Sequence, residues 1–316
     1  MKTIYARHVT APLVGVLIGM VASLSQATTI AYWRFESGGF TTDSSGNGHP
    51  LTQVNSSLLA QSSIPGSGPT SAFPNPIPQT SAANAYSAQR LISGDSSTAG
   101  YFTAPDDNAF TTNTLTLECF VNFSYRSTAL GFVAGHFQGS GNHRSYALVV
   151  RGTDAGAGFN ANEFGAVLSQ DGTSSSNPNL YRTIGSGFTI ENDIDYYLAI
   201  VVDLSAPSAA DRYVRFYLKD LTNNGPLQTS VVSDIGLTSL NNPSIPFSLG
   251  AQGDGSARTA WSGYLDEVRL SGVALTQDQL LIIPEPGTVV LLGVSGLLLA
   301  IRRRHQCGRG IHGGMS

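Results

Sequence analysis

Carboxylates gather at three places in this 316-residue chain: Glu118 in "LTLECFVNF", Asp193 and Asp195 in "ENDIDY", and Asp266–Glu267 in "GYLDEVRLSG". Two carboxylates can cleave a glycosidic bond when they share a face about 5–9 Å apart. On a strand, residues two and four apart share a face and neighbours do not. Glu118 stands alone between Leu117 and Cys119, and Asp266 and Glu267 are adjacent, so the alternation directs them to opposite faces. Asp193 and Asp195 have the right parity but open a hairpin strand, where a solvated turn is expected. No catalytic residue is assigned, and the chain is read as a non-enzyme.

The histidines carry no stronger signal. His49 ends a glycine-rich turn before Pro50, and His136 and His143 flank "FQGSGN" with no third ligand nearby. His136 and His143 read as surface loop residues, and His49 has no obvious partner. No Gly-x-Ser-x-Gly elbow accompanies a Ser-His-Asp set. Tyr101, Phe102, Tyr146, Tyr181, Tyr213 and Trp261 are candidates for a sugar-stacking platform, although alternation directs most of them into a core.

The elements that must position these groups are strands. "TLTLECFVNFS" alternates strictly, with Leu115, Leu117, Cys119, Val121 and Phe123 on one face. Similar runs occupy 145–152, 195–204, 211–220 and 263–272, separated by Gly/Asn/Asp/Ser turns. Such a pattern predicts an all-β antiparallel sandwich. Thr276 and Gln279 have capping-box spacing, so a short helix is expected there. Residues 61–98, rich in Ser, Pro, Ala and Gly, are read as a long surface excursion within one domain.

Hydrophobic residues make up 41% of the chain and charged ones 12%, which permits a packed core. Between residues 28 and 283, 11 Lys and Arg face 20 Asp and Glu, hence a net charge of −9. Nucleic acid is excluded as a partner, because phosphate contact needs clustered cations. Cys119 and Cys307 are too differently placed to suggest a disulfide.

Residues 1–27 resemble a secretory signal peptide: Lys2 and Arg7, the run "APLVGVLIGMVASL", then "SQA" before Thr28. The body resembles the laminin-G-like, concanavalin A-like domains in three stretches: "AYWRFESG…TDSSGNGHPL" at 31–51, "LTLECFVNF" at 115–123 and "YLDEVRLSGVALTQDQL" at 264–280. The resemblance implies a jelly-roll β-sandwich over 28–283. The superfamily's hydrolases carry Glu-x-Asp-x-Glu on one strand, and that motif is absent here. The resemblance further implies one Ca²⁺ between the first and last strands, with Asp266, Glu36 and Asp43 as ligands. The alternative is that Asp43 caps an Asx turn and Asp266 pairs with an arginine.

The end of the chain, "PEPGTVVLLGVSGLLLAIRRRH" at 284–305, resembles the PEP-CTERM sorting signal. Pro284, Glu285 and Pro286 form the motif, residues 288–301 a short apolar membrane helix, and Arg302, Arg303 and Arg304 the cytoplasmic anchor. Residues 306–316 form a cytoplasmic tail, longer than is usual in that family. This resemblance implies an exosortase and the secretion machinery as partners, in a Gram-negative bacterium. It implies a transient inner-membrane intermediate, then the cell surface or extracellular matrix. The whole reads as an exported, non-catalytic protein that binds glycan or builds extracellular polysaccharide or biofilm. The alternative is an atypical polysaccharide hydrolase of the same superfamily.

Overall fold

The computed structural model describes residues 29–64, 67–92, 99–156, 158–256 and 261–285. The signal peptide, Pro286, the apolar run at 288–301 and Arg302–Arg304 lie outside the described residues.

Every alternating run of the sequence forms a strand, and the strands assemble into two stacked antiparallel sheets. The larger has eight strands. Its order is β13 (Gln228–Ser233), β12 (Tyr213–Asp220), β11 (Asp195–Asp203), β6 (Thr114–Arg126), β15 (Trp261–Ser271), β4 (Tyr86–Arg90) and β3 (Leu59–Ser63). The eighth, β1 (Thr29–Trp33), pairs with β15 beyond the end of β4. The other sheet runs β10 (Tyr181–Thr189), β9 (Glu163–Ser169), β8 (Arg144–Arg151), β7 (Leu130–Phe137), β14 (Phe247–Leu249), β5 (Tyr101–Ala104) and β2 (Thr52–Val54).

Leu115, Leu117, Cys119, Val121 and Phe123 all enter the core between the sheets, as the period of two requires. Trp33 stacks on Phe247 at 5.3 Å between ring centroids, and Phe123 meets Trp261 edge-on at 5.1 Å. Each such side chain contributes about 1.5–3 kcal/mol through burial. Cys119 is a free, fully buried thiol whose pKa burial pushes up. Gly263 is required where it stands. Its φ is +142°, and a Cβ there would lie 2.0 Å from the Asn122 carbonyl oxygen.

A second apolar cluster covers the outer face of the eight-stranded sheet. Phe120, Tyr197, Val201 and Tyr217 are sealed beneath Phe73 and Ile77 of the Ser/Pro-rich excursion and beneath Leu280 and Leu281. Asp195 pins that excursion, accepting from Thr70 N (3.0 Å), Ala72 N (2.9 Å) and Asn122 Nδ2 (2.7 Å). The expected solvated turn at Asp195 is therefore corrected: the residue is 2% exposed, because two otherwise orphaned amides need an acceptor. Thr276 and Gln279 do close a cap, with Gln279 Oε1 accepting from Thr276 N. The chain then leaves after one 3-10 turn, Gln277–Gln279, because Leu280–Ile282 extend into the apolar cluster.

Candidate binding site

The carboxylates settle first. Glu118 is fully buried and carries four donors: Arg269 Nε at 2.7 Å and Nη2 at 2.5 Å, Tyr197 Oη at 2.6 Å and Leu281 N at 2.9 Å. It ties three strands to the C-terminal segment and has no room for a substrate.

Asp266 and Glu267 do not point to opposite faces. Glu267 adopts φ +49°, and the pairing of β15 with β6 shifts register between Asp266 and Arg269. This bulge inserts a residue and re-aims the side chains beyond it. Leu265 and Val268 enter the core, while Asp266 and Glu267 both lie on the outer side. Asp266 accepts from Asn84 Nδ2 (2.8 Å) and from Glu267 N (2.9 Å). Glu267 pairs with Arg34 at 2.9 Å and accepts from the Tyr32 hydroxyl. Burial, then repulsion by Glu267, pushes the Asp266 pKa well up. Burial raises that of Glu267 to about 7 against the opposing pull of Arg34.

The three expected calcium ligands separate into two groups. Glu36 stands close enough to raise both buried carboxylates, while its Oε1 accepts from Ala85 N at 2.8 Å. Asp43 is elsewhere. Its Oδ1 accepts from Tyr32 N (3.0 Å) and Ser45 N (2.9 Å), and its Oδ2 from His49 N (3.0 Å). Asp43 caps an Asx turn, with both oxygens in use. Among the described residues no group of three or more His, Cys, Asp and Glu side chains is arranged to hold a metal. Asn84, beside Asp266, has a buried Oδ1 with no hydrogen-bond partner. Sequence reasoning missed it, since no motif marks a lone asparagine.

His136 is not a surface residue, and His49 does have partners. His49 lies between Asp43 (3.5 Å) and Asp107 (3.3 Å), and His136, fully buried, contacts Asp106 at 3.3 Å and Ile245 O at 2.9 Å. Phe110 packs against both imidazoles. Burial lowers the His136 pKa, so the ring is held neutral. A cavity of about 520 Å³ borders this cluster, lined by Thr29, Asn47, His49, Asp107 and Thr112. Its amide and imidazole are already engaged: Asn47 Nδ2 donates to Thr29 O and Ile30 O.

The outer face of the seven-stranded sheet is different. Phe132, Phe137, Val149 and Val167 form a third apolar cluster there, flanked by Leu130 and Tyr181. A cavity of about 210 Å³ opens over it, with Tyr181, Arg144, Ser174 and Gln252 at its polar edge. No Asp or Glu lines it among the described residues. Burial raises the Tyr181 pKa and Arg144 pulls it the other way, and both side chains line the same cavity. Arg144 braces the loops by donating to Gly141 O (2.9 Å), Gly172 O (3.3 Å) and Gly139 O, and Gln252 Oε1 accepts from Gly139 N.

Of the six candidate platform aromatics, only Tyr181 lines this cavity. Phe102, Tyr146 and Trp261 are fully buried, and Tyr101 is 8% exposed. Tyr213 is half-buried under Arg215, on the other sheet. Arg144, Ser174 and Gln252 were missed, because they come from a strand end and two loops that only the fold brings together.

Residues 95–281 match the sequence family described as the concanavalin A-like lectin/glucanases superfamily. The chain belongs to that superfamily. No curated protein sequence matches it. Among solved structures, the concanavalin A-like body resembles domain 4 of AbnA, a GH43 extracellular arabinanase from Geobacillus stearothermophilus, in complex with arabinotriose. The identity is 16% over 81% of this chain and 97% of that one, with a TM-score of 0.43. A structure of botulinum neurotoxin type C, whose cell entry depends on interaction with two ganglioside molecules, matches at 8% identity and TM-score 0.50. That match covers 81% of this chain and about half, 51%, of the toxin chain. At 8% identity the toxin match bears on the fold alone.

Proposed function

We propose that this concanavalin A-like domain is a non-catalytic glycan-binding module, and that the cavity on the outer face of the seven-stranded sheet is its binding site. The observation that carries this reading is the lining itself. An apolar floor of Phe132, Val149 and Val167 meets a tyrosine, a serine, an amide and a guanidinium at one edge. A pyranose has the complementary character, with an apolar C–H face and a hydroxyl edge. Hydrolysis would need two carboxylates at the bond, and the described lining supplies none. A glycan-array screen with and without calcium tests the proposal. Retained glycans should bind more weakly to Tyr181→Ala, and an array with no retained glycan would refute it.

The proposed setting is the cell surface or extracellular matrix. Among the described residues no helix is long and apolar enough to cross a membrane, and the apolar run expected to do so lies outside them. The motif at 284–286 begins one residue after Leu280–Ile282, which are buried, and Pro284 is exposed. An exosortase acting there would meet its motif at the edge of a folded body. Mass spectrometry of the secreted protein should find residues 288–316 removed. Their retention would contradict the sorting role.

Calcium is proposed at Asp266, Glu36 and the unpartnered Asn84 Oδ1, without Asp43. Hard oxygen donors suit that ion, and a cation would offset the burial and the repulsion that raise Asp266. Added calcium should raise the melting temperature, and Asp266→Asn should abolish the rise. A melt of the wild-type protein unmoved by EDTA and by calcium alike would refute the site.

A further inference from the structure

We infer that the glycan taken by the cavity is acidic, carrying a carboxylate of the uronic acid type, and that Arg144 recognises it; this rests on the glycan-binding reading above. The charge at the site opposes the charge of the body. Eleven basic residues face 20 acidic ones between residues 28 and 283, yet the cavity presents one guanidinium and no Asp or Glu among its described lining residues.

Arg144 is not neutralised from within. Among the described residues no carboxylate lies within 4 Å of it. Arg34 and Arg269, by contrast, pair with Glu267 and Glu118. Arg212 also has only carbonyl partners, but it does not line the cavity. The carboxylates of the flanking loops have acceptor duties of their own. Asp171 Oδ1 accepts from Thr173 N and Oγ1 in its own turn, and Asp254 accepts from Ser256 N in its turn and from Ser140 Oγ of the neighbouring loop.

The guanidinium also keeps donors in reserve. Of its five N–H groups, two on Nη1 and one on Nη2 serve Gly141, Gly172 and Gly139 carbonyls. The Nε–H and the second Nη2–H have no protein acceptor among the described residues. Those carbonyl bonds fix the fork in place, so little side-chain freedom remains to be lost on binding. A carboxylate accepting from both free donors would form a charge-assisted bidentate pair. Tyr181 beside it provides the ring against which the sugar face rests.

Calorimetric titration of the purified protein with tetragalacturonate, its methyl ester and the neutral galactotetraose tests this. The inference expects the acid to bind about tenfold more tightly than the ester or the neutral sugar. The acid's advantage should shrink as salt rises from about 50 to about 500 mM. Arg144→Gln should erase the difference while Tyr181→Ala weakens all three. Because Arg144 braces three carbonyls, circular dichroism must show that Arg144→Gln folds. If it does not, Arg144→Lys, which keeps the charge and loses the fork, should narrow the preference. The wild-type salt dependence stands without either variant. Equal binding of acid, ester and neutral sugar would overturn the inference and leave glycan binding intact. Binding of none of them, on a protein that retains no other glycan on the array, would overturn both.

Discussion

On the eight-stranded sheet, the outward side chains Phe120, Tyr197 and Tyr217 are sealed beneath residues 67–85 and 273–283. On the seven-stranded sheet, the outward Phe132, Val149 and Val167 border a cavity, and Tyr181 stays partly exposed. Both outer faces are apolar and both come from the same alternation. The covering segment separates them. Beneath it, Glu118 and Asp195 have their oxygens filled, Glu118 by Leu281 N of the cover together with Arg269 and Tyr197, and Asp195 by Thr70 N and Ala72 N of the cover together with Asn122. On the open side, the Tyr181 hydroxyl and two Arg144 donors have no partner among the described residues. Charge buried under a cover serves the fold, and polar groups left unsatisfied beside an open apolar floor are available to a ligand.

The largest way to break this contrast is Glu118→Ala. It would strand the buried Arg269 and two further donors, and should cost about 3–5 kcal/mol in urea denaturation. Glycan affinity of the remaining folded protein should be unchanged. A loss below about 1 kcal/mol would mean that the sealed face is not held by its charges.

The paired carboxylates give the next effect. The folded state raises the pKa of Asp266 and Glu267, so it binds protons more tightly than the unfolded chain does. Their contribution is fully present below the unfolded carboxylate range, near pH 4, and is lost as pH rises through about 7. Without calcium, stability should fall over that window by roughly 3 kcal/mol or more, and Glu267→Gln should flatten the decline. A calcium-free melt that strengthens between about pH 4.5 and 7.5 in the wild type alone would contradict the assignment.

Tyr181→Ala should act in the opposite sense to Glu118→Ala. Loss of the ring costs about 1 kcal/mol of binding, roughly fivefold in affinity. The melting temperature should hold. A collapse of the melt would place Tyr181 with the core residues.

The smallest effect concerns His136. Its folded pKa is lowered, so stability is full above the unfolded value near 6.5 and declines as pH falls through that value. The decline should be shallow, because Asp106 partly compensates the charge. His136→Gln should remove it in pH-dependent melts, and an unchanged acid limb would exclude this histidine.

The sandwich was legible because its evidence is local. Alternation in 114–124, 195–204 and 211–220 dictates strands, and these residues pair as β6, β11 and β12. The carboxylates were not. Strict alternation sends Asp266 and Glu267 apart, and one left-handed residue undoes it. Nothing in "YLDEVRL" marks that bulge. Asp195, His49 and His136 escaped because their burial depends on segments tens of residues away. Arg144 and Gln252 reach one cavity edge only once β7, β8 and the loop after β14 are in place. Turn-rich sequence around them gives composition but no geometry.

Hydrogen–deuterium exchange with and without saturating glycan locates the ligand directly. Protection should appear in β7, β8 and the stretch 174–181, and residues 67–85 and 273–283 should exchange as in the free protein. Protection centred on 67–85 or 273–283, with β7 and β8 unchanged, would show that the ligand binds the sealed face and would contradict the account.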